Sequence, residues 1–218
     1  MELDFSEDGV CHVKQFGHVL EMISNYEVDI GEKVAPTPAF NHLFEKGEGR
    51  LLCDAERESF HSTVAKGLHI SARSRPDIIP TVSLLCGRVK EPNVSDKEKL
   101  IRLLKYLNGT KELHLTLRYD GMSLARWHID SSFACHPDFR SQSGGVLLIH
   151  PAGGGIASGS TKQELNTRSS TMAELVAVDD FLSKILWCKN FLMDQGISLE
   201  THVFQDNQSS ILMCNKGR

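Results

Sequence analysis

Asp130, Glu174 and Asp206 are the residues whose types and places invite chemistry. Asp130 closes the strand-like run LARWHID, Glu174 opens a long apolar-periodic stretch in SSTMAELVAVDDF, and Asp206 follows the strand-like THVFQ. Mg²⁺ is a hard ion that takes carboxylate and water oxygens, and two such ions about 4 Å apart can clamp the attacking and leaving oxygens of a phosphodiester. Each residue also has a plain structural reading. Asp130 before Ser131-Ser132 reads as an Asx turn, and Asp206 before Asn207-Gln208-Ser209 as the cap of a last helix. Thr171 and Glu174 stand three apart, as a capping box would have them, with Thr171 as N-cap.

The helical wheel separates these readings for Glu174. At about 100° per residue its direction is shared by Val178, Phe181, Leu182, Ile185, Cys188 and Leu192, so it points where the core is. A carboxylate there is buried at a cost unless it is paired, protonated or bound to metal. The neighbouring Asp179-Asp180 pair is angled off that stripe and reads as a solvated face. Other candidates are weaker. Gly153-Gly154-Gly155 lacks the helix that follows a phosphate loop, the histidines show no metal-binding spacing, and no G-x-S-x-G elbow surrounds Ser169-Ser170-Thr171.

The elements that must position these residues fall into two textures. Strand-like LDF and VCHVKQF flank a Glu-Asp-Gly turn, FGHVLEMIS reads as a helix, and Pro36 and Pro38 interrupt the chain. A helix is predicted around AERESFHSTVAKGLHISA, another from Pro76 through IIPTVSLLCGRV, and a third over KEKLIRLLKYL, capped by Ser95 and ended by Asn108-Gly109. In that third helix Leu100, Leu103, Leu104 and Leu107 form one apolar face, while Lys97, Lys99, Arg102 and Lys105 read as a solvated one. After residue 112 the pattern changes to strands: LHLTLRY, LARWHID, and GGVLLIHP with GGIASGSTKQ as a hairpin. A long helix from Met172, the strand THVFQ and the start of a helix follow, which describes an α/β layer fold.

Composition sets the outer bounds. The chain has 218 residues, 40% of them hydrophobic and 24% charged, which suits one large or two small domains. Its six cysteines are scattered with no CxxC pair, which argues against both a disulfide framework and a zinc site and reads as reduced thiols. No run approaches the roughly 18 apolar residues of a membrane span, and the acidic start MELDFSEDG is no signal peptide, so an intracellular protein, cytoplasmic or nuclear, is expected. The formal charge of −4 does not advertise nucleic acid, yet it is uneven: residues 1 to 60 hold 13 acidic and 5 basic residues, whereas residues 88 to 118 hold 8 basic and 4 acidic. The middle segment is the part suited to phosphates.

Five ordered segments then carry a resemblance. RSRPDIIPTVSLLCGRV is similar to "TRPDI..AVS.LSRF", LIRLLKYLNGT to "KRILRYLKGT", and WHIDSSFACHPDFRSQSGGVLLI to "SDADWAGDPDDRRSTSGYVFLL". STKQELNTRSSTMAEL is similar to "SKKQ...A.SSTEAEY", and FQDNQSSI to "CDNQSAI". These motifs are those of copia-like LTR retrotransposon Pol polyproteins, from the end of the reverse transcriptase through ribonuclease H. The resemblance implies a ribonuclease H-like mixed sheet with helices over residues 113–218. It implies a partial, mainly helical reverse-transcriptase remnant, late palm and thumb-like, over residues 1–112. It places Asp130, Glu174 and Asp206 on metal-binding carboxylates for two Mg²⁺ ions, with Mn²⁺ as the alternative. The implied activity is hydrolysis of the RNA strand of an RNA/DNA hybrid, recognised through backbone shape and 2′-hydroxyls. Lys162 and Arg168, ahead of the long helix, are the expected phosphate contacts. The rest of the polyprotein is expected upstream and downstream. Polymerase activity is not expected, because the Tyr-Val-Asp-Asp strand pair should precede residue 1. A fourth carboxylate, with the last strand and helix, is expected beyond Arg218, so cleavage by this stretch is expected to be weak or absent. The competing reading is a non-catalytic retroelement remnant, or a module that touches nucleic acid through residues 88 to 118.

Overall fold

The computed structural model describes residues 1–26, 34–119, 121 and 124–216. The chain divides into two compact units, one formed by Met1–Asp4 with His12–Leu115 and the other by Phe5–Cys11 with Thr116–Arg218. Among the described residues no helix is long and apolar enough to cross a membrane.

In the first unit β1 (Glu2–Asp4) pairs antiparallel with β2 (Val10–Lys14), and four helices follow: α1 (Phe16–Ser24), α2 (Asp54–Ser71), α3 (Ile79–Cys86) and α4 (Val94–Gly109). Their apolar faces meet in one core that holds Met22, Phe60, Val64, Ile78, Val82 and Leu85 with Leu100, Leu103, Leu104 and Leu107 of α4. The cap of α4 is Asn93, two residues ahead of the expected Ser95. Asn93 Oδ1 accepts from the Asp96 N–H at 3.0 Å, the Asp96 carboxylate accepts from the Asn93 N–H at 3.2 Å, and Asn93 Nδ2 also donates to the Gly47 carbonyl. A side chain that satisfies a helix donor and a loop carbonyl together outcompetes a serine that can do only the first. Pro76 heads a 3-10 turn, Pro76–Ile78, and α3 begins only after it, at Ile79.

The basic face expected on α4 is not a solvated one. Lys97 is ion-paired to Glu56 at 2.9 Å. Lys99 is 4% exposed, and its ammonium donates to the Glu45 carbonyl at 2.8 Å. Arg102 donates to the Ala39 carbonyl and lies over the Phe40 ring, 4.4 Å from its centre. Long cationic stems bury their methylenes along an apolar surface and end on whichever carbonyl is in reach, so the charge pattern alone misjudges them. Burial also pushes the Lys99 ammonium below its ordinary pKa.

Arg75, 1% exposed, organises the other side of this unit. Its Nε and Nη2 form a fork on the Asp77 carboxylate at 2.9 and 2.8 Å, Nη1 donates to the Thr110 carbonyl at 2.9 Å, and Nη2 donates to Thr110 Oγ1 at 2.8 Å. Tyr106 completes the set, donating its hydroxyl to Asp77 at 2.7 Å beneath the guanidinium. The motif segments RPDI and YLNGT are therefore one polar network that ties the 3-10 turn ahead of α3 to the end of α4.

The second unit is an α/β fold built on a mixed four-stranded sheet of order β6-β5-β4-β7: β4 (Leu124–Ser132), β5 (Gln142–Leu148), β6 (Ala157–Lys162) and β7 (Glu200–Phe204). It is preceded by β3 (Leu115–Arg118), and it also holds α5 (Ser170–Asp194) and α6 (Gln208–Lys216). Alternation along β4 sends Ala125, Trp127 and Ile129 to one face, where Leu147 of β5 and Ala177, Phe181 and Ile185 of α5 bury them. Gly145, opposite Ile129, is what lets α5 come so near: a Cβ there would stand 2.6 Å from the Phe181 ring. The stripe read from the helical wheel is narrower in fact, since Leu182 is 46% exposed while Ala173 and Ala177 are fully buried. Small residues at the closest approach put the helix axis nearer the sheet and turn the larger apolar side chains outward. The segment 5–11 joins this unit through Gly9, whose carbonyl accepts from the Tyr119 N–H at 2.9 Å. With Leu117, Ile149, Ile156, Leu192 and Ile197 it walls an apolar cavity of about 470 Å³.

Candidate metal centre

Strand direction explains why the three carboxylates converge. β5 runs antiparallel to β4 and β6 antiparallel to β5, whereas β7 runs parallel to β4, so β4, β6 and β7 all end at one edge of the sheet. α5 follows β6 and so starts at that same edge. Asp130 lies near the end of β4, Asp206 two residues past β7, and Glu174 is the fifth residue of α5. One carboxylate oxygen from each lies within 4.8 Å of the other two; Asp130 and Asp206 are exposed and Glu174 is buried.

The capping alternatives fall away residue by residue. The N-cap of α5 is Ser169, whose hydroxyl accepts from the Met172 N–H at 3.2 Å, so neither Thr171 nor Glu174 forms the capping box. Asn207 caps α6, accepting from the Ser210 N–H at 3.0 Å, which leaves the Asp206 carboxylate uncommitted. Asp130 sits within regular β4 pairing, opposite Gly144, and makes no Asx turn. Asp179 and Asp180 are both exposed, yet Asp180 is more than a solvated residue, because it accepts a 2.7 Å hydrogen bond from the fully buried Ser143.

The first turns of α5 are tied down on several sides. Gln163, fully buried after β6, donates to the Ala173 carbonyl at 2.8 Å and to Ser143 Oγ at 3.0 Å. Ser210 of α6 donates to the Thr171 carbonyl at 3.1 Å. Glu174 itself, 6% exposed, accepts one hydrogen bond, 2.8 Å long, from the Gln205 amide. Gln205 was not singled out by sequence reasoning. The signal was there in FQDNQSSI, which has glutamine where the motif it resembles has cysteine.

The donor set fits a hard divalent cation. It consists of carboxylate oxygens alone, with no thiolate or imidazole, which suits Mg²⁺ or Mn²⁺. Among the described residues no lysine, arginine or histidine forms an ion pair with Asp130, Glu174 or Asp206. The two expected phosphate contacts differ in fate. Lys162 is paired to Asp138 at 2.7 Å, holding that carboxyl below its ordinary pKa, whereas Arg168 is exposed in the loop before α5.

Against known proteins, the chain is 28% identical over 184 residues to the retrovirus-related Pol polyprotein from transposon TNT 1-94 of Nicotiana tabacum, a match covering 84% of this chain and 13% of the relative. It is 25% identical over 208 residues to that from transposon RE1 of Arabidopsis thaliana, covering 93% of this chain and 14% of the relative. The chain is a distant homologue of copia-like Pol polyproteins. It spans about a seventh of the length of these relatives. An uncharacterised mitochondrial protein of Arabidopsis thaliana is 29% identical over 127 residues, covering 57% of this chain and 52% of its own length. No protein-family model matches the chain, and no solved structure matches it.

Proposed function

We propose that the second unit is a ribonuclease H-like domain that hydrolyses the RNA strand of RNA/DNA hybrids with Mg²⁺, and that the first unit is a reverse-transcriptase remnant without polymerase activity. The observation that carries this reading is the convergence of Asp130, Glu174 and Asp206, from three separate elements, to within 4.8 Å. Homology to retrotransposon Pol polyproteins supports it.

In this reading Asp130, Glu174 and Asp206 hold the metal. Mg²⁺ bound there supplies charge neutralisation at the phosphodiester and activation of the attacking water. Asp130 and Asp206 stand at the exposed rim, open to a substrate backbone, while buried Glu174 anchors the site from below. Arg168 lies exposed just ahead of α5 and is the basic residue free to meet a phosphate, whereas Lys162 must first leave Asp138. The alternative of a binding module built on residues 88 to 118 finds less support, since Lys97, Lys99 and Arg102 are already engaged within their own unit.

The test is single-turnover cleavage of an end-labelled RNA strand in an RNA/DNA hybrid, at protein excess so that slow rates register. Slow, Mg²⁺-dependent cleavage is expected, lost by at least two orders of magnitude in Asp130→Asn, Glu174→Gln and Asp206→Asn. Cleavage that survives Asp130→Asn, or that proceeds in chelator, overturns the assignment.

A further inference from the structure

The buried Glu174 has one neutral partner, and the way that partner is held gives it a defined task. Gln205 Oε1 accepts from the Asp206 N–H at 2.7 Å and from the Asn207 N–H at 3.1 Å, while its Nε2 donates to Glu174 Oε2 at 2.8 Å. These contacts fix the amide orientation. Turned over, Gln205 would set its oxygen against a carboxylate and its NH₂ against two N–H donors, a mismatch at all three partners.

We infer that Gln205 is a positioning residue for the metal centre: one side of its amide holds the Glu174 carboxylate through Oε2, while the other side sets the turn that delivers Asp206. This rests on the metal-site reading above. One side chain thereby couples α5 to the β7–α6 turn, the two elements whose spacing decides whether Glu174 and Asp206 reach the same ion. A neutral amide suits the task better than a cation. A lysine at residue 205 would satisfy Glu174 but would add a positive charge where the site must admit one, whereas an amide donates a hydrogen bond and leaves the net charge of the carboxylates intact. Groups that orient a metal ligand in this way change metal affinity by about 10- to 100-fold when removed.

The probe is Mn²⁺ alone, its binding to the intact chain followed by electron paramagnetic resonance without nucleic acid. Gln205→Met, similar in length but unable to hydrogen-bond, is expected to weaken Mn²⁺ binding about tenfold. Because Gln205 acts in part through Glu174, the same substitution made in a Glu174→Gln background is expected to cost clearly less than in the wild type, whereas a role without Glu174 repeats the full loss in that background and overturns the coupling. Wild-type affinity in Gln205→Met, together with loss of binding in Asp130→Asn, overturns the role of Gln205 and leaves the metal centre standing. A wild-type chain that binds no Mn²⁺ overturns the metal centre and this role with it. Should Gln205→Met fail to fold, ¹⁵N spectra of the wild type decide. A Gln205 side-chain amide proton shifted by its carboxylate bond is expected to keep that shift at saturating Mg²⁺, and its return to the free-amide position on Mg²⁺ addition sinks the proposal.

Discussion

Replacing Asp130 with asparagine should stabilise the protein in chelator, the opposite of what loss of a buried structural aspartate does. At 4.8 Å, the widest separation of the three oxygens, each carboxylate pair repels by about 1 kcal/mol at the dielectric of water, the fitting limit for a rim that is exposed at two of its three members. Asp130→Asn removes two of the three pairs and keeps the size of the side chain, so a gain of about 1–2 kcal/mol is expected. For a unit of this size that raises the melting midpoint by about 4–8 °C. Mg²⁺ must reverse the order. At a hundred times its dissociation constant a ligand adds about 2.7 kcal/mol to the folded state, and that increment belongs to the wild type alone. Differential scanning calorimetry of both proteins in chelator and in Mg²⁺ reads all four values. A variant less stable than wild type in chelator, or one that keeps the full Mg²⁺ increment, would refute the idea that these carboxylates are held together for a cation.

Four further outcomes are expected. Phe181→Ala should cost about 3–5 kcal/mol in urea titration, because Phe181 is 4% exposed and fills the space over Gly145 and Gly159. Asp180→Ala should cost about 1–3 kcal/mol by stripping buried Ser143 of its acceptor, Asp180→Asn much less, and both should leave Mn²⁺ affinity unchanged. Arg75→Lys should cost about 3–5 kcal/mol by denaturant titration, since an ammonium cannot reproduce the fork on Asp77 together with both bonds to Thr110. The Glu56 carboxyl is held far below its ordinary pKa by hydrogen bonds from Arg50 and Lys97 and from the Cys53 N–H. Its stabilisation is therefore complete above the unfolded value of about 4.5 and is lost as pH falls toward the folded one. The slope of stability against pH below 4.5 should flatten in Glu56→Gln, measured by urea titration across the acid range.

What the sequence made legible follows from which interactions are periodic. Alternation in LARWHID and the apolar stripe of the long helix are one-dimensional signals of burial, and they led to the two faces of β4 and the core side of α5 that hold Trp127 and Phe181. The same signals put Glu174 on a core-facing stripe, which is where it lies. Contacts made by long or polar side chains across elements leave no period. Lys99 looked like a surface residue until the Glu45 carbonyl came within its reach, and Asn93 displaced Ser95 as a cap because Gly47 offered it a second bond. Gln205 escaped for the same reason, since its role depends on Glu174, 31 residues away in the chain. The Arg75 network was visible only as two separate motif segments, and only the fold makes them one.

The short segment from Phe5 to Cys11 also sets an order of events during synthesis. It is synthesised before the rest of the second unit, yet its partners, Tyr119 among them, lie more than a hundred residues further on, beyond nearly all of the first unit. The helical unit is thus in effect an insertion that folds while one wall of the other unit waits open. Closing that long loop is a slow, entropically costly step, and until it happens the apolar side chains of Val10 and Leu117 face water. A version of the second unit cut out at residue 113 would never close that wall, so a protein trimmed to the contiguous half would carry a permanently exposed apolar edge and a tendency to aggregate.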